Sequence, residues 1–283
     1  MQFNKIIGID FSGAAQSGKT AWAAVLSPRG GDRQPQRFGL DQLQPLGSLA
    51  GSDDRASVNR YLVDRMQTES ETFWGCDFPF GLPTELSLGG WKAQLSQVVS
   101  FDGDAKVFGR SLVAKTQELQ GAMHVRRTTD QETQTPFDCY HYRIIYQTFH
   151  GMRDVLAPLA SNPRLAVLPF QYSKYFKGVS SVIVEACPSS TLKRFGLPYQ
   201  KYKQSGGKPP SREHLATRRK IMSWVLERVE ISEHRRRVIR RDPGGDALDA
   251  VLAALGSWAS FEREDHTKIA RHRRYPKEGF VYA

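Results

Sequence analysis

The 283-residue chain is poor in cysteine. It has three, Cys76, Cys139 and Cys187, which lie far apart and form no C-x-x-C pair. This spacing argues against a disulfide framework and against a cysteine zinc site, and it suits a reducing compartment. The chain also lacks an apolar run of transmembrane length and an apolar leader segment before its first predicted strand. We therefore expect a cytoplasmic protein with no membrane partner.

The chain has fewer acidic than basic residues. Lys plus Arg number 40 against 29 Asp plus Glu, a formal net charge of +11. The excess is concentrated between residues 201 and 241, where 13 Lys or Arg stand against 4 Glu. Such a stretch is the electrostatic footprint of a polyanion, so we predict a nucleic acid partner, DNA or RNA. A solvated helix face is the alternative for any single basic run. The predicted phosphate contacts in the run "HRRRVIRR" are Arg236, Arg237 and Arg240.

The string "GAAQSGKT" at 13–20 fits the phosphate-binding pattern G-x-x-x-x-G-K-[ST]. A P-loop requires a buried strand before this string and a helix after it. The strand is predicted at 5–11, but the segment 20–27 is short for a helix before Pro28 breaks the chain. Trp22 and Val25 also favour a strand there. We therefore predict a β-hairpin with its tip at 16–19.

The order of the predicted elements indicates an α/β protein. Strands at 5–11, 21–27 and 36–45 precede a helix that begins at Ser52 or Asp53 and a strand at 72–78. This β-β-β-α-β start is typical of an RNase H-like fold and differs from the strict alternation of a Rossmann unit. We predict one domain over 1–283, with a mixed five-stranded sheet flanked by helices. Residues 84–163 are predicted to form a mostly helical insertion.

Acidic residues lie at the ends of the predicted strands at 5–11, 72–78 and 181–186 and at the start of a last predicted helix near Gly245. They are Asp10, Asp77, Glu185, Asp246 and Asp249. Carboxylates are costly to bury unless they are paired or bind a metal, and strand ends of α/β sheets build sites. Asp246 and Asp249 are three residues apart and share a helix face. We predict that these acids are catalytic and that Mg²⁺ or Mn²⁺ is the metal, because both prefer oxygen ligands.

Each acid also has a structural alternative. Asp10 and Asp77 suit turns after strands, and Glu185 suits a pair with an arginine of the insertion. Asp246 and Asp249 suit the first turn of a helix, where the dipole favours acids.

Several motifs together resemble one family. They are "GIDFSGA", "CDFPFGLP", "RRTTD" at 126–130, "VEACPSSTLKRFGLP", "GGDALDAVLAAL" and "EGFVYA". The chain is similar over nearly its whole length to the domain of unknown function 429 family, predicted nucleases of the RNase H-like superfamily. The resemblance implies that two divalent metals are held by Asp10, Asp77 and Asp246 or Asp249, with Glu185 as a further acid. It implies phosphodiester hydrolysis by a two-metal site.

Arginines of the insertion are further candidates for phosphate contacts. They are Arg126, Arg127 and Arg143, and a structural salt-bridge network is the alternative for them. Asp130 is expected to hold one of these arginines. Aromatic residues near the basic segments, Tyr199 and Tyr202 among them, are candidates for stacking on bases, and packing within the protein is the alternative for them. Besides a nuclease, the sequence permits a phosphotransferase or ATPase on a related fold, or a nucleic-acid-binding protein without catalysis.

Overall fold

The computed structural model describes residues 3–29, 37–204 and 206–283. Within them, eight strands form one mixed sheet of order β5-β6-β4-β1-β2-β3-β7, and β8 pairs with β6. The strands are β1 (Lys5–Asp10), β2 (Trp22–Arg29), β3 (Arg37–Pro45), β4 (Thr72–Asp77), β5 (Leu165–Val167), β6 (Ser181–Ala186), β7 (Val229–Glu230) and β8 (Val281–Tyr282). The predicted α/β class with a mixed sheet is confirmed.

The helices fill the connections between these strands. They are α1 (Leu46–Ala50), α2 (Arg55–Thr68), α3 (Trp91–Ser100), α4 (Ala105–Gln120), α5 (Thr128–Glu132), α6 (Ile145–His150), α7 (Ala157–Leu159), α8 (Tyr172–Lys177), α9 (Pro188–Arg194), α10 (Arg212–Leu226), α11 (Glu233–Arg241), α12 (Asp246–Arg263), α13 (His266–Arg271) and α14 (Tyr275–Glu278). A π-helical segment (Gly151–Leu156) joins α6 to α7. None of the helices in the described residues is long and apolar enough to cross a membrane.

The predicted number of strands is wrong, because the sheet has eight and not five. Two of the three additional strands, β7 and β8, are two residues long each, which is too short for an alternating pattern to reveal them. The first residue of the third predicted strand, residue 36, lies outside the described residues. Helix α2 begins later than predicted, since its N-cap is Asp54, whose carboxylate accepts a hydrogen bond from the backbone N–H of Ser57.

Two hydrophobic cores cover the two faces of the sheet. One face, with Ile7 and Ile9 of β1, packs against α2 and the helices of residues 84–163. The other face, with Ile6, packs against α10 and α12. Helices α3 to α7 lie between β4 and β5, and their buried residues join the first core.

Two glycines let α12 lie directly on the centre of the sheet. Gly8 of β1 and Gly75 of β4 are opposite each other in the parallel pair. A Cβ at Gly8 would lie 2.0 Å from the carbonyl oxygen of Ala250, and one at Gly75 would lie 2.6 Å from that of Ala253. Any larger residue at either position would push the helix away. This close contact sets the position of the first turn of α12 relative to the ends of β1 and β4.

The string at 13–20 is not a P-loop. It connects β1 to the antiparallel strand β2 through a short 3-10 turn (Ser17–Lys19), as the sequence predicts for a hairpin. The ammonium of Lys19 donates to the side chain of Gln16 at 2.8 Å. No helix follows the turn, so the backbone N–H groups of a phosphate-binding helix N-terminus are not formed there.

Candidate metal centre

Two strand ends bring Asp10 and Asp77 together. Asp10 is the last residue of β1 and Asp77 the last of β4, and the two lie directly opposite each other in the register of these parallel strands. Parallel strands end at the same edge of a sheet, so both carboxylates leave the sheet at one point. Within the described residues, neither carboxylate accepts a hydrogen bond from a nearby backbone N–H. The turn roles considered for these two acids are therefore not formed.

The third acid comes from α12. Gly245, at φ +82°, precedes this helix in the left-handed region, which glycine adopts without strain. The side chain that caps the helix is Asp242, which accepts a hydrogen bond from the backbone N–H of Ala247 at 3.0 Å. Asp249 is therefore not the residue that caps this helix. It is 1% exposed.

Asp10, Asp77 and Asp249 form the group that we call the aspartate cluster. Each offers one carboxylate oxygen, and these three oxygens lie within 4.8 Å of one another. Carboxylates that hold two metal ions about 4 Å apart cannot lie more than about 10 Å from each other, and Asp10 and Asp249 are well within that distance. Asp246, on the same helix, is not in this group of three.

Within the aspartate cluster, the pKa values of Asp10 and Asp77 are raised. Burial is the largest cause for Asp10, whose pKa is well above its usual range; Lys203 opposes the shift, and Asp249, Asp246 and Asp77 add to it. Burial, then Asp249 and Glu185, raises the pKa of Asp77 to about 8 against the opposing effect of Lys203. Crowded, buried carboxylates repel one another unless a cation compensates them.

Burial also raises the pKa of Asp246, to about 6. Lys203 and Arg218 oppose this shift, while Asp242 and Asp249 add to it. Asp246 is thus an electrostatic neighbour of the cluster.

Two residues of the segment between α9 and α10 hold Asp249. The Tyr202 hydroxyl donates to one carboxylate oxygen at 2.9 Å, and the Lys203 ammonium forms an ion pair with the other. Tyr202 is buried, so its predicted role in stacking on bases is wrong; its ring packs in the core and its hydroxyl serves Asp249. Sequence reasoning did not select Lys203. The signal that could have indicated it is the run "YQKYK" at 199–203, which combines two tyrosines with two lysines.

Glu185 lies at the same sheet edge but belongs to another group, which we call the Arg127 cluster (Arg127, Asp130 and Glu185). The guanidinium of Arg127 donates to both oxygens of Glu185, at 2.8 and 2.5 Å, and to both oxygens of Asp130, at 2.9 and 2.7 Å. Glu185 also accepts from the backbone N–H of Phe80 at 2.9 Å. Burial raises the pKa of Glu185, although Arg127 opposes it. The alternative that pairs Glu185 with an arginine of the insertion is therefore correct, and its predicted catalytic role is not supported by these contacts.

The predicted phosphate-binding arginines have different surroundings. Arg127 is 1% exposed and its donors are used within the protein, so its prediction as a nucleic-acid contact is wrong. Arg126 is half-buried and donates to the carbonyls of Thr135 and Pro136. Arg143 is exposed and lies over the rings of Phe137 and Tyr142. The three arginines Arg236, Arg237 and Arg240 are exposed on α11, the helix that follows the edge strand β7 in the chain.

A pocket of about 370 Å³ opens over both clusters. Its walls come from the ends of β1, β4 and β6, from the insertion and from the segment between α9 and α10. The side chains that line it include Phe137, Ile144, Gln147, Tyr199, Lys201 and Lys203. The aspartate cluster is therefore accessible from a cavity that also presents lysines and aromatic rings.

Comparison of the chain with protein-family models, with curated proteins and with solved structures found no match.

Proposed function

We propose that this protein is a metal-dependent nuclease that hydrolyses phosphodiester bonds of nucleic acid. The observation that carries the proposal is the aspartate cluster. Its three carboxylate oxygens, from two strand ends and one helix, lie within 4.8 Å of one another beside a pocket. The resemblance to predicted nucleases of the RNase H-like superfamily gives the reaction class, and the adjacency of β1 and β4 beneath the last long helix is consistent with that fold.

The donor set of the cluster suits Mg²⁺ or Mn²⁺. All three groups are carboxylates, and no cysteine or histidine stands among them. Asp10 and Asp249 are buried, Asp77 is half-buried, and in the described part of the chain the one lysine that forms a salt bridge with this group is Lys203. The cluster therefore has more negative than positive charge when its acids are ionised. A divalent cation would relieve that repulsion. Asp10, Asp77 and Asp249 are the residues that would hold it.

A metal ion in such a site activates water as a nucleophile and stabilises the charge that develops on a phosphodiester. The protein's own residues would orient the substrate. Lys201 and Lys203 line the pocket and offer positive charge to a phosphate group, while Tyr199, with its ring exposed, offers a face for a base. The Arg127 cluster keeps the neighbouring wall rigid.

The test measures cleavage and metal binding separately. We expect Asp10→Asn and Asp249→Asn to reduce Mn²⁺-dependent cleavage of labelled oligonucleotides by more than about 100-fold, because even outer-shell partners of a metal contribute about 10–100-fold. Calorimetry with Mn²⁺ alone should show binding to the unaltered protein and a large loss in both variants. Asp64→Asn, an exposed acid of α2, is the matched control and should change neither. Absence of Mn²⁺ binding, or full cleavage by both cluster variants, would overturn the proposal.

A second candidate, a phosphotransferase or ATPase, is favoured by the size of the pocket. A volume of about 370 Å³ lies within the range of small-molecule sites, roughly 300–1,000 Å³. The missing P-loop helix argues against it. Mg²⁺-dependent hydrolysis of ATP that depends on Asp10 and occurs without cleavage of any oligonucleotide would favour this candidate over a nuclease.

A further inference from the structure

The side chain of Lys203 occupies an unusual place for an exposed lysine. It is 46% exposed, yet its ammonium contacts a carboxylate oxygen of Asp249, whose own side chain is only 2% exposed. Burial lowers the pKa of Lys203, but Asp249, Tyr202 and Asp10 outweigh that effect and hold the pKa well above its usual value. In the part of the chain that the structure describes, no other basic side chain forms a salt bridge with Asp10, Asp77 or Asp249.

The backbone on both sides of Lys203 is anchored. The buried guanidinium of Arg218 donates to the carbonyl of Tyr202 at 2.7 Å, and the backbone N–H of Gln204 donates to the carbonyl of Pro243 at 2.9 Å. The ring of Tyr202 is buried as well. The segment therefore holds the Cα of Lys203 in place, while the long and half-exposed side chain has room to change rotamer. A movement of the ammonium needs no movement of the segment.

Asp249 has both carboxylate oxygens in use, one with Tyr202 and one with Lys203. A divalent cation bound to this carboxylate would lie close to the Lys203 ammonium, and the two cations would repel each other strongly in a buried site. Tyr202 is uncharged and does not compete in this way. Metal and ammonium are thus alternative partners of the same acid.

We propose that Lys203 is a displaceable internal counter-ion of the aspartate cluster, which leaves Asp249 when a divalent metal binds and turns toward the pocket. This inference rests on the proposed metal site. Lys203 lines the pocket, so its released ammonium faces the space where a phosphate group would lie. One lysine would then keep the acids compensated before metal binding and attract substrate after it.

Amine labelling of the full-length protein tests the displacement. A limiting amount of an acetylating reagent is applied with chelator or with Mn²⁺, and the labelled lysines are quantified by mass spectrometry. We expect the labelling of Lys203 to rise severalfold with Mn²⁺. Lys201, which lines the same pocket and pairs with Glu213, is the internal control and should not change. Labelling of Lys203 that stays constant or falls while Mn²⁺ binds would overturn the inference.

Calorimetry gives an independent measurement. Lys203→Met should bind Mn²⁺ roughly tenfold more tightly than the unaltered protein, a difference of about 1.4 kcal/mol, because the metal no longer displaces an ammonium. Lys201→Met removes the same charge from the same segment and should bind Mn²⁺ as the unaltered protein does. Equal gains in both variants would mean a general charge effect and would overturn displacement. Failure of Mn²⁺ to bind any of these proteins would overturn the proposed function as well.

Discussion

The two charged clusters beside the pocket use acidic residues in opposite ways. In the Arg127 cluster, one guanidinium makes bidentate contacts with two carboxylates, and the backbone N–H of Phe80 adds a further donor. In the aspartate cluster, the half-exposed Lys203 and the Tyr202 hydroxyl both contact Asp249, and no salt bridge is formed in the described residues by Asp10 or Asp77. The first group is saturated by its own hydrogen bonds, and the second is not.

This difference separates a structural acid from a candidate functional one. Both groups lie at the same sheet edge and both contain an acid that ends a parallel strand. Glu185 is held by a buried guanidinium and a backbone N–H, which cannot move away without disturbing the fold, so it has little capacity left for a ligand. A cluster with uncompensated charge gains most from a bound cation. Position at a strand end alone does not distinguish the two.

The largest expected effect on stability is at Arg127. Arg127→Met leaves Asp130 and Glu185 buried without a cation, and breaking a buried pair in this way costs about 3–5 kcal/mol. Chemical denaturation should show this loss in the free energy of unfolding. Arg126→Met, at the next position but half-buried and bound only to carbonyls, is the control and should cost much less. A loss below about 1 kcal/mol, the level of a surface ion pair, would contradict the structural role of the Arg127 cluster.

The aspartate cluster should show the opposite response. The pKa of Asp77 is raised by burial, Asp249 and Glu185 to about 8 in the folded protein, against an unfolded value near 3.8. An acid with a raised folded pKa holds its proton more tightly when folded, so its contribution to stability is present at low pH and is lost as pH rises from about 4 to about 8. Asp77→Asn cannot ionise and should escape this loss.

Thermal unfolding in the presence of chelator measures this effect. We expect the variant to gain at least about 3 °C relative to the unaltered protein between about pH 5 and pH 8, the shift that roughly 1 kcal/mol produces in a large domain. Asp64→Asn should show no such trend, since Asp64 is exposed. A difference between Asp77→Asn and the unaltered protein that does not grow with pH would mean that the cluster is not electrostatically strained.

The exposed arginines of α11 belong to neither cluster. If Arg236, Arg237 and Arg240 contact phosphates, reversing all three to Glu should flatten the dependence of log affinity for nucleic acid on log salt by roughly 2–3 units. Reversal of Lys92, Lys106 and Arg110, which are exposed on α3 and α4, makes the same change in net charge as a control. An equal effect of both sets would assign the arginines of α11 to a general surface charge.

The smallest expected effect is at Lys19. Its side chain is 57% exposed and lies 4.0 Å from Asp53, an exposed acid, in contrast to Lys203, which contacts a buried one. Lys19→Ala should change the free energy of unfolding by less than about 0.5 kcal/mol, as is usual for surface positions. Calorimetry should show no micromolar binding of ATP with Mg²⁺ by either protein. Tight ATP binding that Lys19→Ala abolishes would contradict the hairpin and restore a P-loop.

Local sequence was sufficient for much of the fold and part of the site. The apolar runs before Asp10 and Asp77 predict buried strands, and the acid after each run marks its end. The glycines within these runs, Gly8 in "IIGID" and Gly75 in "WGCD", lie where the structure brings α12 into close contact with the sheet. Strands of two residues could not be predicted, because β7 and β8 carry no period of their own and form only where a neighbour offers an edge.

The sequence by itself determined which residue types stand at the ends of buried strands and at the start of the last long helix. The reason is that runs and spacings of apolar residues along the chain predict where strands and helices begin and end. Only the tertiary structure decided which acids are paired. Arg127 and Glu185 are 58 residues apart in the chain, and Lys203 and Asp249 are 46 apart, yet each pair is in contact. A buried charge is compensated only if a side chain of opposite charge reaches it, and here that side chain is distant in sequence. Which side chain reaches it is decided by the packing of elements at the sheet edge and not by any local pattern.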